Sequence, residues 1–350
     1  MTLGKQFDPR HNSLNALRLI FALSVIVSHA SPLGGYGTGW EPGGETLGFW
    51  AVAGFFAISG FLITRSRFSP TSNTKTFAWH RALRIYPGLW VCLLLTAAVF
   101  APLAWVAERG PLEPMSLLTY VAENVTGWIR ADTIPGTLIG VAQPEAWGGP
   151  LWTLFYEILC YSALAVFAAV GGLRRRVWLM PVVLVVGSLV AVARHEAIAA
   201  NQHNALVLGL FFVAGATLYL YAERVPTGPL VTLSAVTALL LVGLAERPKE
   251  LAALPVAYLC MWAGTRLPLH RVGAKRDLSY GVYIYGWSVA QLLAVYGLSD
   301  NGLFAYTALT IAGTLPLAWL SWTLVEAPAL RLKRRPDRRG AAEPAGIAPP

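Results

Sequence analysis

Charged side chains are scarce in this 350-residue chain: Asp, Glu, Lys and Arg together make up 13% of it, while 55% is apolar. A soluble domain carries about 25% charged residues, so a water-solvated fold does not fit, and the mean hydropathy of +0.54 agrees. Cysteine is nearly missing as well. Cys92, Cys160 and Cys260 lie in apolar stretches without C-x-x-C spacing, so they read as packing residues and imply no disulfides. There is no G-x-S-x-G elbow, no G-x-x-x-x-G-K-[ST] loop and no H-E-x-x-H helix. Covalent serine chemistry, direct nucleotide hydrolysis and zinc catalysis are therefore disfavoured, and no metal is expected. A soluble face joining basic and aromatic residues is lacking too, which argues against nucleic-acid binding.

What is present is a series of long apolar blocks. A helix of about 20 residues crosses a hydrocarbon core of ~30 Å, and the blocks place spans at 14–31, 47–64, 83–105, 150–171, 177–193, 205–221, 229–245, 251–265, 279–297 and 303–326. The expectation is an all-α polytopic membrane protein with about ten transmembrane helices. Basic residues give an independent orientation, because short cytoplasmic loops collect them. With both termini cytoplasmic, 21 of the 27 Lys and Arg fall in or at the edge of inner segments, five (Arg109, Arg130, Arg194, Arg247 and Lys249) lie outside, and Arg18 sits within a span. The net charge of +9 is then mostly a topology signal. The expected organisation is a cytoplasmic N-terminus at 1–13, a membrane domain at 14–328, and a basic, then Ala/Pro-rich, disordered cytoplasmic tail at 329–350 that contacts anionic membrane lipids. The first span reads as a retained helix, since its run contains Arg18, ends in His29 and lacks a small-x-small cleavage pattern. Residues 106–149 form the longest hydrophilic insert, irregular apart from one short helix around 115–124.

Polar residues inside the spans mark candidate chemistry. Arg18 and His29 are eleven residues apart, close to three helical turns, so they share a face ~16 Å apart along the axis. An intramembrane arginine costs at least ~2.5–3.5 kcal/mol unless it meets a partner or a wet cavity. Snorkelling to the inner headgroups is the plainer account of Arg18, and interfacial hydrogen bonding that of His29. Ser59 and Gly60 interrupt FFAISGFLI, where glycine admits a close backbone or ligand. Arg81 and Arg84 share a face at the inner start of the third span; they could clamp a phosphate or simply reflect positive-inside bias. In LWTLFYE, Glu157 lies two turns into the fourth span among Trp152, Tyr156 and Tyr161, at a depth expected to match His29. A His29–Glu157 base and orienter is one reading, and a salt-bridged structural carboxylate the other. Asp277, Ser279, Tyr280, Tyr283 and Tyr285 open the ninth span and Glu326 closes the tenth, either as site residues or as interfacial anchors.

The ordered set LNALRLIFALSVIVSHA, FFAISGFLI, HRALRIYP, LWTLFYE, LSYGVYIY and VEAP resembles the membrane-bound acyltransferase 3 family, which includes bacterial enzymes that O-acetylate surface polysaccharides. The resemblance runs from residue 14 to 328. It implies ten helices in the bacterial inner membrane, no bound cofactor, acyl-CoA (usually acetyl-CoA) as co-substrate, and a glycan, lipid-linked sugar or small hydroxylated acceptor. In that light His29 is the expected general base and Glu157 its helper. Arg18, Ser59, Gly60, Arg81, Arg84, Ser279 and Tyr280 fall on the donor side, with Trp152, Tyr156, Tyr283 and Glu326 as acceptor-side or supporting residues. The chain departs from the family pattern at Asn15 and Ala16, where many members have Asp-Gly, at Ala53, where many have an acid, and at Gly286, where many have a histidine. A secondary transporter using buried charges for translocation is the alternative that the residues leave open.

Overall fold

The computed structural model describes residues 1–69, 73–144, 146–171, 175–245 and 247–334. The expected tail from 335 onward lies outside these residues. Among those described there is no β-strand, only an isolated bridge between Thr2 and Pro226. The long helices are α1 (Leu14–Leu33), α2 (Leu47–Arg67), α3 (Thr74–Leu95), α4 (Pro114–Asn124), α5 (Trp152–Ala169), α6 (Leu179–Ala193), α7 (Ala200–Leu220), α8 (Pro229–Gly243), α9 (Ala253–Arg266), α10 (Ser279–Val295) and α11 (Leu303–Ser321). Single π-helical turns carry α3 on to Glu108 and α11 on to Arg331.

Among the described residues, six stretches are long and apolar enough to cross a membrane: Leu14–Leu33, Leu47–Arg67, Thr74–Glu108, Gly149–Ala169, Gln202–Leu220 and Leu303–Arg331. The other four expected spans coincide with α6, α8, α9 and α10, of 15, 15, 14 and 17 residues. At 1.5 Å per residue these reach only about 21–26 Å, so length alone carries six helices across, not ten. The bundle has the radial pattern of a membrane protein. Leu230, Leu240 and Leu244 of the α8 segment point outward, whereas Gln291, Thr310, Thr314 and Glu326 are buried inside.

Local signals explain where helices begin. Thr46 and Asn73 cap α2 and α3, their side-chain oxygens accepting from Phe49 N and Thr76 N at 3.1 and 2.8 Å. Pro255 falls in the first turn of α9, where a missing N–H removes no helical hydrogen bond. α10 is buried on nearly all sides over its first eight residues, as expected of a helix apolar all round at the centre of a bundle.

Small residues set the closest helix contact, between α2 and α7. A Cβ on Gly60 would collide with the Phe212 carbonyl, and one on Gly215 with the Ala57 carbonyl. The two backbones meet through reciprocal glycines, a common solution where lipid supplies no hydrophobic drive for helix association. Gly60 is therefore occupied by a neighbouring helix.

The insert between α3 and α5 folds back over one end of α10. Trp147 is fully buried and donates to Thr137 Oγ1 at 2.9 Å. Trp287 Nε1 donates to the Ala146 carbonyl at 2.8 Å, Ser288 Oγ to the Trp147 carbonyl at 2.6 Å, and Gln291 Nε2 to the Gln143 carbonyl at 2.6 Å. Three α10 side chains thus fix the insert by its backbone.

Candidate active site

Two cavities meet at Arg18. The larger, about 230 Å³, is lined by Arg18, Ser59, Arg81, Arg84, Tyr161, Asp277, Trp322 and Lys333 among others. It lies where α1 begins, α2 ends and α3 begins, and Asp277 in the loop before α10 organises it. Asp277 Oδ2 receives Arg18 Nη1 at 2.8 Å and Arg84 Nη2 at 2.6 Å. Its other oxygen accepts from Ser279 Oγ at 2.5 Å and Ser279 N at 3.3 Å. Burial alone would raise the Asp277 carboxyl, but Arg18 and Arg84, helped by the two Ser279 donors, hold it well below the usual carboxylate range.

Arg84 has a second carboxylate, Glu326 Oε2 at 3.3 Å. Glu326 lies in the π-helical turn Trp322–Glu326 of the α11 segment and accepts from Ser321 Oγ at 3.1 Å. Tyr280 stacks near the Arg84 guanidinium, 5.6 Å from its ring centroid, and donates to the Ile85 carbonyl at 2.7 Å. Arg84 is thus compensated on every side. Arg81 is not. Among the described residues it makes no ion pair, and its Nε is buried without a hydrogen-bond partner. Its guanidinium lies over the rings of Phe77 and Tyr161, at 5.8 and 6.0 Å, and the Glu157 carboxylate acts on it only from beyond ion-pair distance. Lys333 joins it on the wall, where burial and then the Arg81 and Arg84 charges bring its ammonium down to about 8. Four cations face the cavity against Asp277, so an anion entering it meets a positive field in a partly desolvated site.

The smaller cavity, about 40 Å³, is lined by Arg18, Phe55, Thr153, Glu157, Ser279, Tyr280 and Tyr283 among others. Glu157 Oε1 accepts from Ser59 Oγ at 3.0 Å and from the Tyr161 hydroxyl. Thr153 Oγ1 and the Tyr283 hydroxyl lie 2.6 Å apart, and Tyr283 donates to the Pro150 carbonyl at 3.0 Å.

His29 stands apart, beyond both cavities. Its ring meets Trp287 edge to face at 4.9 Å, and a Cβ on Gly48 would lie 3.6 Å from its Nε2. Among the described residues neither ring nitrogen makes a hydrogen bond, which leaves whichever nitrogen is unprotonated in the neutral ring available to a substrate proton. The expected His29–Glu157 pair does not form. Gly48, beside His29, and Ser59, beside Glu157, are eleven residues apart on α2, or ~16 Å along the axis. The cause is the start of α5. Pro150 and Leu151 are already buried in a 3-10 turn, and Pro150 is held by Tyr283, one turn from the start of α10. Two turns further, Glu157 therefore sits deep among the arginines.

Arg18, Ser59, Arg81, Arg84, Ser279, Tyr280, Tyr283 and Glu157 thus line two cavities that share Arg18 as a wall, with Glu326 behind Arg84. Trp152 and Tyr156 pack on each other at 5.7 Å, and Tyr156 lines an apolar groove between α5, α6 and α7. Gly60 faces α7. Aromatic side chains span the gap to His29: Phe55 meets Tyr283 at 5.7 Å, and Trp287 lies one turn past Tyr283 on α10. Sequence reasoning left two contributors off the site: Asp277, noted only as one of the polar residues opening the ninth span, whose carboxylate joins three helices, and Lys333, which belonged to a generic basic run. At Gly286 a Cβ would lie 2.6 Å from Ile26 Cγ1. The α1–α10 contact fills the space where many relatives by resemblance carry a histidine.

Comparison with known proteins gives the family. The profile described as "Acyltransferase domain" matches residues 11–323. An O-acetyl transferase of Shigella phage Sf6 is 29% identical over 330 residues, covering 91% of this chain and 95% of the phage protein. Nodulation protein 10 of Rhizobium leguminosarum bv. viciae is 29% identical over 358 residues, with 92% and 94% covered. No solved structure matches.

Proposed function

The chain belongs to the acyltransferase-domain family, and from that premise we propose that it O-acetylates a cell-surface glycan or lipid-linked sugar, with acetyl-CoA as donor and His29 as general base. In this reading the protein sits in the bacterial inner membrane with both termini cytoplasmic, so the arginine-lined cavity opens to the cytoplasmic CoA pool. His29 then stands toward the opposite face, where the acceptor is presented.

The observation that carries the proposal is the unequal pairing of the cavity cations. Asp277 and Glu326 compensate Arg18 and Arg84, which fixes the wall. Arg81 and Lys333 remain as the groups able to grip an incoming polyanion, and a CoA carries several phosphate oxygens that suit a guanidinium fork. The pantetheine arm would extend past Arg18 and Glu157 toward His29, with Phe55, Tyr283 and Trp287 turning aside to admit it. Glu157 holds Ser59 and Tyr161 in place along that route and acts as a positioning residue.

The chemistry is a single acyl transfer. The neutral His29 imidazole takes the proton of the acceptor hydroxyl as its oxygen bonds to the thioester carbonyl carbon. The resulting tetrahedral intermediate collapses with cleavage of the C–S bond, and the imidazolium proton passes to the departing CoA thiolate. Donor and acceptor exchange an acetyl group for a proton, with no redox partner. Membranes containing the protein, given acetyl-CoA labelled in the acetyl group, are expected to transfer label to a glycan or lipid fraction. Membranes without the protein provide the baseline, and equal labelling in both would overturn the reading. A transporter has no comparable support.

A further inference from the structure

On the side of the bundle where α1 ends, three side chains distant in sequence converge. His195 follows α6 in the turn His195–Ala197, His203 lies in the first turn of α7, and Glu250 is in the short helical segment Pro248–Leu251. Glu250 Oε1 lies 3.0 Å from His195 Nδ1 and 3.4 Å from His203 Nε2. One ligand-capable atom from each residue falls within 4.8 Å of the others. The imidazoles meet edge to face with centroids 4.5 Å apart. Glu250 is 0% exposed and His203 2%, whereas His195 is 38% exposed.

The cluster is electrically incomplete. Glu250 Oε2 is buried without a hydrogen-bond partner among the described residues. The neighbouring cations make their ion pairs with other carboxylates: Lys249 Nζ is 2.7 Å from Glu45 and 3.0 Å from Asn204, and Arg247 Nη2 is 3.4 Å from Glu196, its Nη1 staying without a hydrogen-bond partner among the described residues. A fully buried carboxylate between two imidazoles has a counter-charge there only when one of them is protonated, and with neutral rings it is costly unless another cation completes it.

We propose that His195, His203 and Glu250 bind a divalent transition-metal ion of the zinc class. Two histidines and a glutamate form an established donor set for zinc, with metal–ligand distances of ~2.0–2.1 Å. In a tetrahedral site with those bonds, neighbouring ligand atoms stand about 3.3 Å apart; Glu250 already stands 3.0 and 3.4 Å from the two rings, and the imidazole nitrogens, within 4.8 Å, would close on the ion as it loads. The exposed edge of His195 leaves the fourth position to water. His203 Nε2 also lies 3.1 Å from the Ala191 carbonyl, so loading exchanges that contact for the ion. The ion would tie the α6–α7 turn to the segment before α9. Lys249 there already grips Glu45 in the loop that follows the His29 helix, so the site braces the rim at that end of the bundle. It is separate from the acyl-transfer site and does not depend on that function.

The test uses the full chain, purified in detergent with a tag free of histidine, loaded with Zn²⁺ and dialysed. Mass spectrometry of metal content is expected to find about one tightly held ion per chain, with a raised melting temperature that chelator reverses. Loading with Co²⁺ should give visible d–d bands of a four-coordinate N/O site. Glu250→Gln, close in shape, and His195→Ala, at a half-exposed position, should each reduce the retained ion to background and abolish the bands. If Glu250→Gln does not fold, His195→Ala decides. His11 and His270 stack at 3.9 Å and form a second histidine pair, so His11→Ala is the control and should retain the ion. Wild-type protein that holds no ion, or His195→Ala protein that holds as much as wild type, overturns the proposal.

Discussion

Arg84 and Asp277 meet at 2.6 Å through Asp277 Oδ2, the same oxygen that takes Arg18 at 2.8 Å. One carboxylate therefore ties α1 to α3 at the mouth of α10. Asp277→Asn keeps the shape but removes the charge, leaving two guanidiniums beside each other in a partly desolvated site. Removing one partner of a buried ion pair costs about 3–5 kcal/mol. A large drop in the melting temperature of the purified protein is expected, with partial recovery in Asp277→Glu. An unchanged melting curve would show that the carboxylate is not structural.

Arg81 and Arg84 share a helix face but differ in company, and their variants should separate accordingly. Arg81 makes no ion pair among the described residues, so Arg81→Ala is expected to raise the donor KM about 10- to 100-fold, in line with one charge-assisted hydrogen bond, with kcat and melting temperature little changed. Arg84→Ala leaves Asp277 and Glu326 under-compensated and should lower stability first. Matching effects of both variants on KM and on melting would refute the division of labour.

For His29 the expected signature is chemical. His29→Gln should lower kcat by about 10²- to 10⁴-fold, the range for loss of a general base. Donor affinity should stay at the wild-type value, since the cationic cavity lies ~16 Å away along α1. Both are read from steady-state kinetics together with equilibrium binding of acetyl-CoA. Wild-type turnover in this variant would remove His29 from the mechanism.

The α1–α10 contact predicts a non-additive pair. Gly286→His forces a side chain onto Ile26, with the first added atom only 2.6 Å from Ile26 Cγ1, and overpacking of this kind costs about 1–3 kcal/mol. Melting of Gly286→His is expected below wild type, and the double variant with Ile26→Ala should regain part of the loss. If the two effects simply add, residues 26 and 286 are not coupled.

Helix positions were legible because apolar blocks of membrane length leave few other readings. The expected 14–31 and 47–64 became Leu14–Leu33 and Leu47–Arg67. Depth was not legible where it depends on how an insert folds. The buried Pro150 turn moves Glu157 inward by a distance that its own helix does not encode. The paired state of each arginine was hidden as well. Arg81 and Arg84 look alike in HRALRIYP, and only the approach of Asp277 and Glu326 from later segments tells them apart. His195, His203 and Glu250 come from three segments without a common spacing, so no local pattern announces them.

The last prediction concerns pH and rests on Lys333, which burial, followed by Arg81 and Arg84, brings down to about 8. An unfolded lysine titrates near ~10.4. Between these values the folded chain binds fewer protons at this site than the unfolded chain, so stability from Lys333 is lowest below about pH 8 and rises above it. Donor binding should run the other way. Phosphate oxygens near the ammonium favour its protonated form, so acetyl-CoA binds best below about pH 8 and more weakly as the lysine loses its charge. The donor KM of the wild type is expected to climb between pH 7.5 and 9.5 by roughly tenfold, the equivalent of one lost charge-assisted contact. Lys333→Arg, which stays charged throughout, should flatten that rise, and Lys333→Met should give a high KM at every pH. An equally steep rise in Lys333→Arg would assign the pH dependence to another group and remove Lys333 from the donor grip.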